Sequence, residues 1–117
     1  MKTITLYIEG RSEPLAREVA VADRFLTRLR GLIGRPPLQA GQGLWIRSCQ
    51  QVHTHFMRAP IDIVFVDAGG IVLDIVPALR PWRFSRWVRK AESVIELAAG
   101  GAGALGIGDR IRVAEPL

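Results

Sequence analysis

The chain has 117 residues, 49% of them hydrophobic and 23% charged, which fits one folded domain and excludes the disordered and collagen-like classes. Its longest apolar runs fall well short of the roughly 20 residues that cross a bilayer as a helix, and a single cysteine, Cys49, excludes an internal disulfide and fits a reducing compartment. The net charge of +5 arises from 16 basic against 11 acidic residues, yet five of the bases lie in residues 80–90, RPWRFSRWVRK, and the rest of the chain is formally neutral.

In chain order, TITLYIE places Ile4, Leu6 and Ile8 on one face and Thr3, Thr5 and Tyr7 on the other, the period-two pattern of a half-buried strand. The first residues therefore read as a strand and not as a secretory signal, and the cytoplasm is the expected location. After the turn GRSEP, residues 15–21 read as the second arm of a hairpin. From Asp23 the period changes: Phe25, Leu29, Leu32 and Ile33 fall on one helical face, with Asp23 as N-cap and Gly34, Pro36 and Pro37 as the stop. That pattern predicts one helix over about 23–33.

The chain then returns to strands: GLWIRSC, QVHTHFM, IDIVFVD, IVLDIVP, ESVIELA and DRIRVAE. DAGG at 67–70 is a hairpin turn, because glycine tolerates the positive φ such turns need. AAGGAGALGIG reads as a flexible connection; no lysine follows its glycines and no strand-to-helix frame surrounds it, so it is not a phosphate loop. Many short strands with turn punctuation predict a mainly β fold, a β-sandwich or partly closed barrel, with the helix covering one end or edge. Ile61, Val64, Val72, Val94 and Leu97 are expected in its core.

Chemistry-bearing side chains gather in CQQVHTHFMRAPIDIVFVD, residues 49–67. In an uninterrupted strand Cys49, Gln51, His53, His55 and Met57 would share one face, and Cys49, His53 and His55 would suit copper or zinc. Structural zinc sites draw ligands from two separated positions, and nothing here supplies the second, so no metal or other cofactor is expected and the histidines read as hydrogen-bonding groups of a half-buried strand. A Cys49 nucleophile with a histidine base would need an oxyanion donor that no sequence signal locates. Asp62, set between Pro60-Ile61 and IVFV, is a partly desolvated carboxylate in need of partners, with Arg58 the nearest, and Glu96 poses the same problem. Each either satisfies backbone donors and fixes strand register or meets a ligand. LRPWRFSRWVRK joins guanidinium forks, which grip carboxylate or phosphate, to Trp82, Phe84 and Trp87, whose flat faces suit a sugar, a base or a lipid interface.

RLRGLIGRPPL, GQGLWI, HTHFMRAPIDIVFVDAGGIV, LRPW, SVIELAAG and GIGDRI resemble the successive blocks of the bacterial and archaeal family called domain of unknown function 192, over most of residues 15–113. MRAPIDIVFVD followed by VIELAAG is the most specific part. The resemblance implies a jelly-roll-like β-sandwich with a short helix, and it brings no established biochemical function. Many relatives carry an N-terminal signal or anchor and are described as envelope-associated, whereas the strand-like start of this chain points to the cytoplasm.

Together these readings describe a small binding domain rather than an enzyme, with a pocket for a small anionic or polar ligand, carbohydrate included, where the 53–62 segment meets the loop at 80–83. His53, Arg58, Asp62, Arg80, Trp82 and Arg83 are its expected lining: the arginines hold the ligand, Trp82 forms a wall and Asp62 orients a neighbour. The alternatives are a metal-binding protein using Cys49, His53 and His55, and a peripheral module that meets an anionic membrane surface, secretion machinery or another protein partner through residues 80–90. No recognised nucleic-acid motif accompanies the basic segment, so nucleic acid is not an expected partner.

Overall fold

A computed structural model describes residues 2–23, 37–55 and 57–114. Seven strands form one sheet: β1 (Lys2–Ile8), β2 (Pro14–Asp23), β3 (Gln42–Arg47), β4 (Ile61–Val66), β5 (Val72–Leu79), β6 (Ser93–Ala98) and β7 (Ile111–Ala114). Their order across the sheet is β5-β4-β6-β3-β2-β1-β7. The β1–β2 and β4–β5 hairpins form as the sequence predicts, the second closed by Asp67, whose Oδ1 accepts the Gly69 and Ile71 amides at 2.9 and 3.0 Å. Among the described strands only β2 and β3 run parallel; such a step needs a connection of about a dozen residues or more, which the chain between Asp23 and Gln42 supplies.

The sheet curls until its two ends approach. Val72 donates to the Asp109 carbonyl and Ile111 to the Gly70 carbonyl, both at 2.8 Å, around an isolated bridge between Ile71 and Arg110. The lead-ins to β5 and β7, at opposite ends of the strand order, thus cover part of each other's unpaired edge. Of the two architectures the strand pattern admits, the partly closed barrel is the one that forms, as a half-barrel.

Successive side chains of a strand point to opposite faces, so β4, buried at all six positions, must be covered on both. Val64 and Val66 join Leu6, Val19, Ile95 and Leu97 in one cluster, which also takes Val72 and Ile111 from the two ends of the curl and so fills its concave side. Ile61, Ile63 and Phe65 join Leu44, Ile46 and Val94 on the other face, covered by Cys49, Val52 and Ala91 from outside the sheet. Each such side chain contributes roughly 1.5–3 kcal/mol when fully buried. The five expected core residues, Ile61, Val64, Val72, Val94 and Leu97, are all buried.

Two expectations need correction, and one falls beyond reach. The described residues of the expected strand over 51–57 are not a strand of the sheet: there is one bridge between His53 and Phe84, Met57 donates back to the Thr54 carbonyl, and the other backbone bonds of Val52 and Thr54 go to the 82–88 loop, which satisfies the same polar groups without a ladder. The glycine-rich segment is not slack either; it is a series of turns with Ala102 buried in the concave core. Asp23, the expected N-cap, ends β2, and the remainder of the helix predicted over 23–33 lies outside the described residues. Among the described residues there is no helix, and no helix is long and apolar enough to cross a membrane.

Candidate functional site

The basic segment is fastened to residues 50–55 by two buried hydroxyls, of Thr54 and Ser85, and a short run of backbone bonds. Thr54, with no exposed surface, donates from Oγ1 to the Arg80 carbonyl at 2.5 Å, accepts the Arg83 amide at 3.0 Å, and lies 3.2 Å from the Arg83 carbonyl. Its own amide donates to the Arg83 carbonyl at 2.9 Å, and its carbonyl receives the Trp82 amide at 3.1 Å. Farther along, Ser85 donates its amide to Val52, its Oγ accepts the Val52 amide, and Val88 donates to Gln50. A threonine serves here because its short side chain offers a donor and two acceptor lone pairs within reach of the backbone.

This fastening holds Trp82 at φ 64°, a left-handed conformation that costs a bulky residue of order 1–3 kcal/mol and persists only where surrounding contacts impose it. The indole is nevertheless 54% exposed. One edge contacts His55, the ring centroids 5.3 Å apart and nearly perpendicular. His55 in turn touches His53 at 4.9 Å and Phe84 at 5.0 Å, so His53, His55, Trp82 and Phe84 make one ring cluster. Its edge-on and tilted contacts are the favourable geometries for aromatic quadrupoles.

Partial burial, and secondarily the neighbouring His55, hold the His53 imidazole below the usual histidine pKa. The neutral ring is thus its form at neutral pH. His53 Nδ1 accepts the His55 amide at 3.3 Å, which assigns the ring proton to Nε2 and leaves that atom as a donor. Arg80 and Arg83 are exposed, and among the described residues neither has a carboxylate within ion-pair distance. Arg86, by contrast, pairs with Asp74 at 2.6 Å. The corner therefore offers donors and a flat ring but no acceptor carboxylate.

Of the six expected site residues, the structure gathers His53, Arg80, Trp82 and Arg83 at this corner. Arg58 is exposed, and no hydrogen bond or ion pair joins it to the corner among the described residues. Asp62 is 2% exposed and committed to the backbone: Oδ1 accepts the Ala78 amide at 2.8 Å, and Oδ2 accepts those of Gly100 and Ala102, both at 3.0 Å. It clamps two chain segments just behind Arg80 instead of facing outward. Glu96 is buried on the covered face of the sheet, opposite Leu44 on one side and Ile63 on the other. Cys49 is buried with Sγ directed at the Gln51 carbonyl, 3.1 Å away, and Cys49, His53 and His55 do not form a three-ligand group; none exists among the described residues. Sequence reasoning singled out the Phe84 ring but missed Thr54, Ser85 and the contact of Phe84 with His53 and His55. Hydroxyls that bind backbone across 29 or 33 residues leave no periodic trace.

A family model described as "Uncharacterized ACR" (DUF192) matches residues 6–113. UPF0127 protein PF1050 of Pyrococcus furiosus is 37% identical over 99 residues, 80% of this chain and 84% of that protein. Two crystal structures share the fold. A protein of unknown function from Novosphingobium aromaticivorans has a TM-score of 0.78 at 19% identity, covering 93% of this chain and 84% of that one. A protein from Sinorhizobium meliloti, named as a candidate transcription regulator, has a TM-score of 0.77 at 20% identity, covering 97% and 96%. At such identities the likeness concerns the fold alone.

Proposed function

The chain belongs to the domain of unknown function 192 family, and on the geometry of its Thr54 corner we propose that it is a binding domain for a small anionic or polar ligand. The observation that carries this reading is Trp82, a large apolar ring held in a left-handed backbone conformation and left half in water, between two arginines without carboxylate partners among the described residues. Strain and exposure together work against stability, and both are features that cluster at ligand sites. Three donor groups, the Arg80 and Arg83 forks and His53 Nε2, call for a ligand rich in acceptor oxygens, such as a phosphate, a carboxylate or a sugar acid. Guanidinium grips such groups through two parallel bonds, and the indole supplies a wall for a ring attached to them.

Thermal shift with inorganic phosphate, a sugar phosphate and a sugar acid, at low salt, tests the proposal. A ligand at about 100 times its Kd adds roughly 2.7 kcal/mol to stability, a rise of several degrees for a domain of this size. The Arg80→Gln/Arg83→Gln double variant is expected to lose that rise. Equal shifts in parent and variant, or none in the parent with any of the three, would overturn the reading.

A further inference from the structure

We propose that the outer half of the basic segment, from Phe84 to Lys90, is a docking surface for anionic phospholipid bilayers. This does not rest on the small-ligand reading, because it uses different side chains: Phe84, Trp87, Arg89 and Lys90. Three of the five large hydrophobic side chains exposed among the described residues, Trp82, Phe84 and Trp87, lie within six positions of one loop, Phe84 at 66% and Trp87 at 59%. An exposed cluster of that kind on a folded domain marks an interaction site.

The exposure is imposed by the fold. Ser85 is buried and bonded to Val52 in both directions, while Val88 donates to Gln50 and packs against the core on the covered face. With 85 and 88 tied inward, Phe84 and Trp87 stand outward and cannot sink into the domain. Beside them, Arg89 and Lys90 are exposed with no carboxylate in ion-pair reach among the described residues, and the rest of the chain is neutral. Aromatic rings that enter the headgroup boundary, flanked by bases that meet lipid phosphates, are the composition of an interfacial contact.

The ring geometry favours lipid over nucleic acid. Successive bases stack on aromatic faces left open side by side, whereas the Phe84 ring meets both the His53 and the His55 rings at 58°. A bilayer boundary accepts such rings at any tilt, since apolar burial is non-directional.

The test is sedimentation of the whole chain with vesicles of phosphatidylcholine alone and of phosphatidylcholine mixed with phosphatidylglycerol, over a salt series. The parent should bind the mixed vesicles at low salt, bind the neutral ones weakly, and release as salt rises. Phe84→Ser/Trp87→Ser should weaken binding by roughly tenfold or more. Arg89→Gln/Lys90→Gln should also weaken it by roughly thirtyfold, at about one kcal/mol per basic residue near an anionic surface, and should flatten the salt dependence. All four positions are exposed, so parent-like melting is expected of both variants. A parent that ignores anionic vesicles, variants that bind as the parent does, or a parent that prefers a single-stranded oligonucleotide to the vesicles would each overturn the proposal. None of these results would touch the Arg80 and Arg83 test.

Discussion

Two loops on this half-barrel are built alike and presented differently. In one, the buried carboxylate of Asp62 receives backbone amides from Ala78, Gly100 and Ala102, with Ala78 at φ 47° and Gly100 at φ 90°. In the other, the buried hydroxyl of Thr54 holds Arg80 and Arg83, with Trp82 between them at φ 64°. Each anchor is one polar side chain, fully satisfied by backbone at long sequence separation, and each sustains a left-handed residue. The Asp62 clamp gathers small residues, Ala78 and Gly100 at the surface and Ala102 buried in the concave core. The Thr54 clamp lifts tryptophan and arginine into water. Since the same device serves both loops, anchoring alone is architecture; large apolar and cationic side chains held out against their own stability are what distinguish the second loop and support the binding role proposed for it.

Four variants sharpen or break that comparison, in order of expected size. Asp62→Ala leaves three backbone amides without their acceptor, one of them in a buried bond, and should lower the unfolding free energy by about 2–4 kcal/mol in a urea titration. Any effect on ligand or vesicle binding should appear only through unfolding. If instead binding is lost while the protein stays folded, Asp62 belongs to the site and the contrast fails.

Thr54→Val keeps the shape and removes the hydroxyl that meets Arg80 and Arg83. A loss of about 1–3 kcal/mol is expected, with phosphate-induced thermal stabilisation falling alongside it because Arg80 and Arg83 lose their shared support. Trp82→Gly supplies the complement. Relief of the left-handed strain offsets the lost ring contact with His55, so stability should change by less than about 1 kcal/mol, while binding drops. A Thr54→Val protein that binds as the parent does would show that display of Trp82 does not depend on its anchor.

The smallest effect is electrostatic. His53 is neutral in the folded state because burial, then His55, lowers its pKa, and an unfolded chain takes up that proton more readily. Its contribution to stability is therefore present above the ordinary histidine value and is lost as pH falls from there through the lower folded value. Comparing parent and His53→Gln by urea unfolding between neutral and mildly acidic pH should show a shallower decline in the variant. Equal slopes would separate His53 from the strained ring cluster and leave the corner to Trp82 and the arginines.

The sequence by itself determined the strands whose side chains alternate or run apolar without break. β1, β4, β5 and β6 sit within two residues of where the pattern puts them, because burial of one face or both is written in consecutive side chains. Composition alone placed every unbalanced charge in residues 80–90. Alternation misled at 51–57, where Val52 and Thr54 do point inward and are buried but the partner is a loop; period two reports which side chains are covered, not what their backbone bonds to. The pairing of β2 with β3, the meeting of residues 70–72 with 109–111, and the assignment of Asp62 to architecture and Thr54 to the display of Trp82 were decided by the tertiary structure. Each depends on hydrogen bonds between groups roughly 20 to 40 residues apart, whose partners are selected only once loop closure brings the segments together, and such a choice leaves no local signature in the residues that make it.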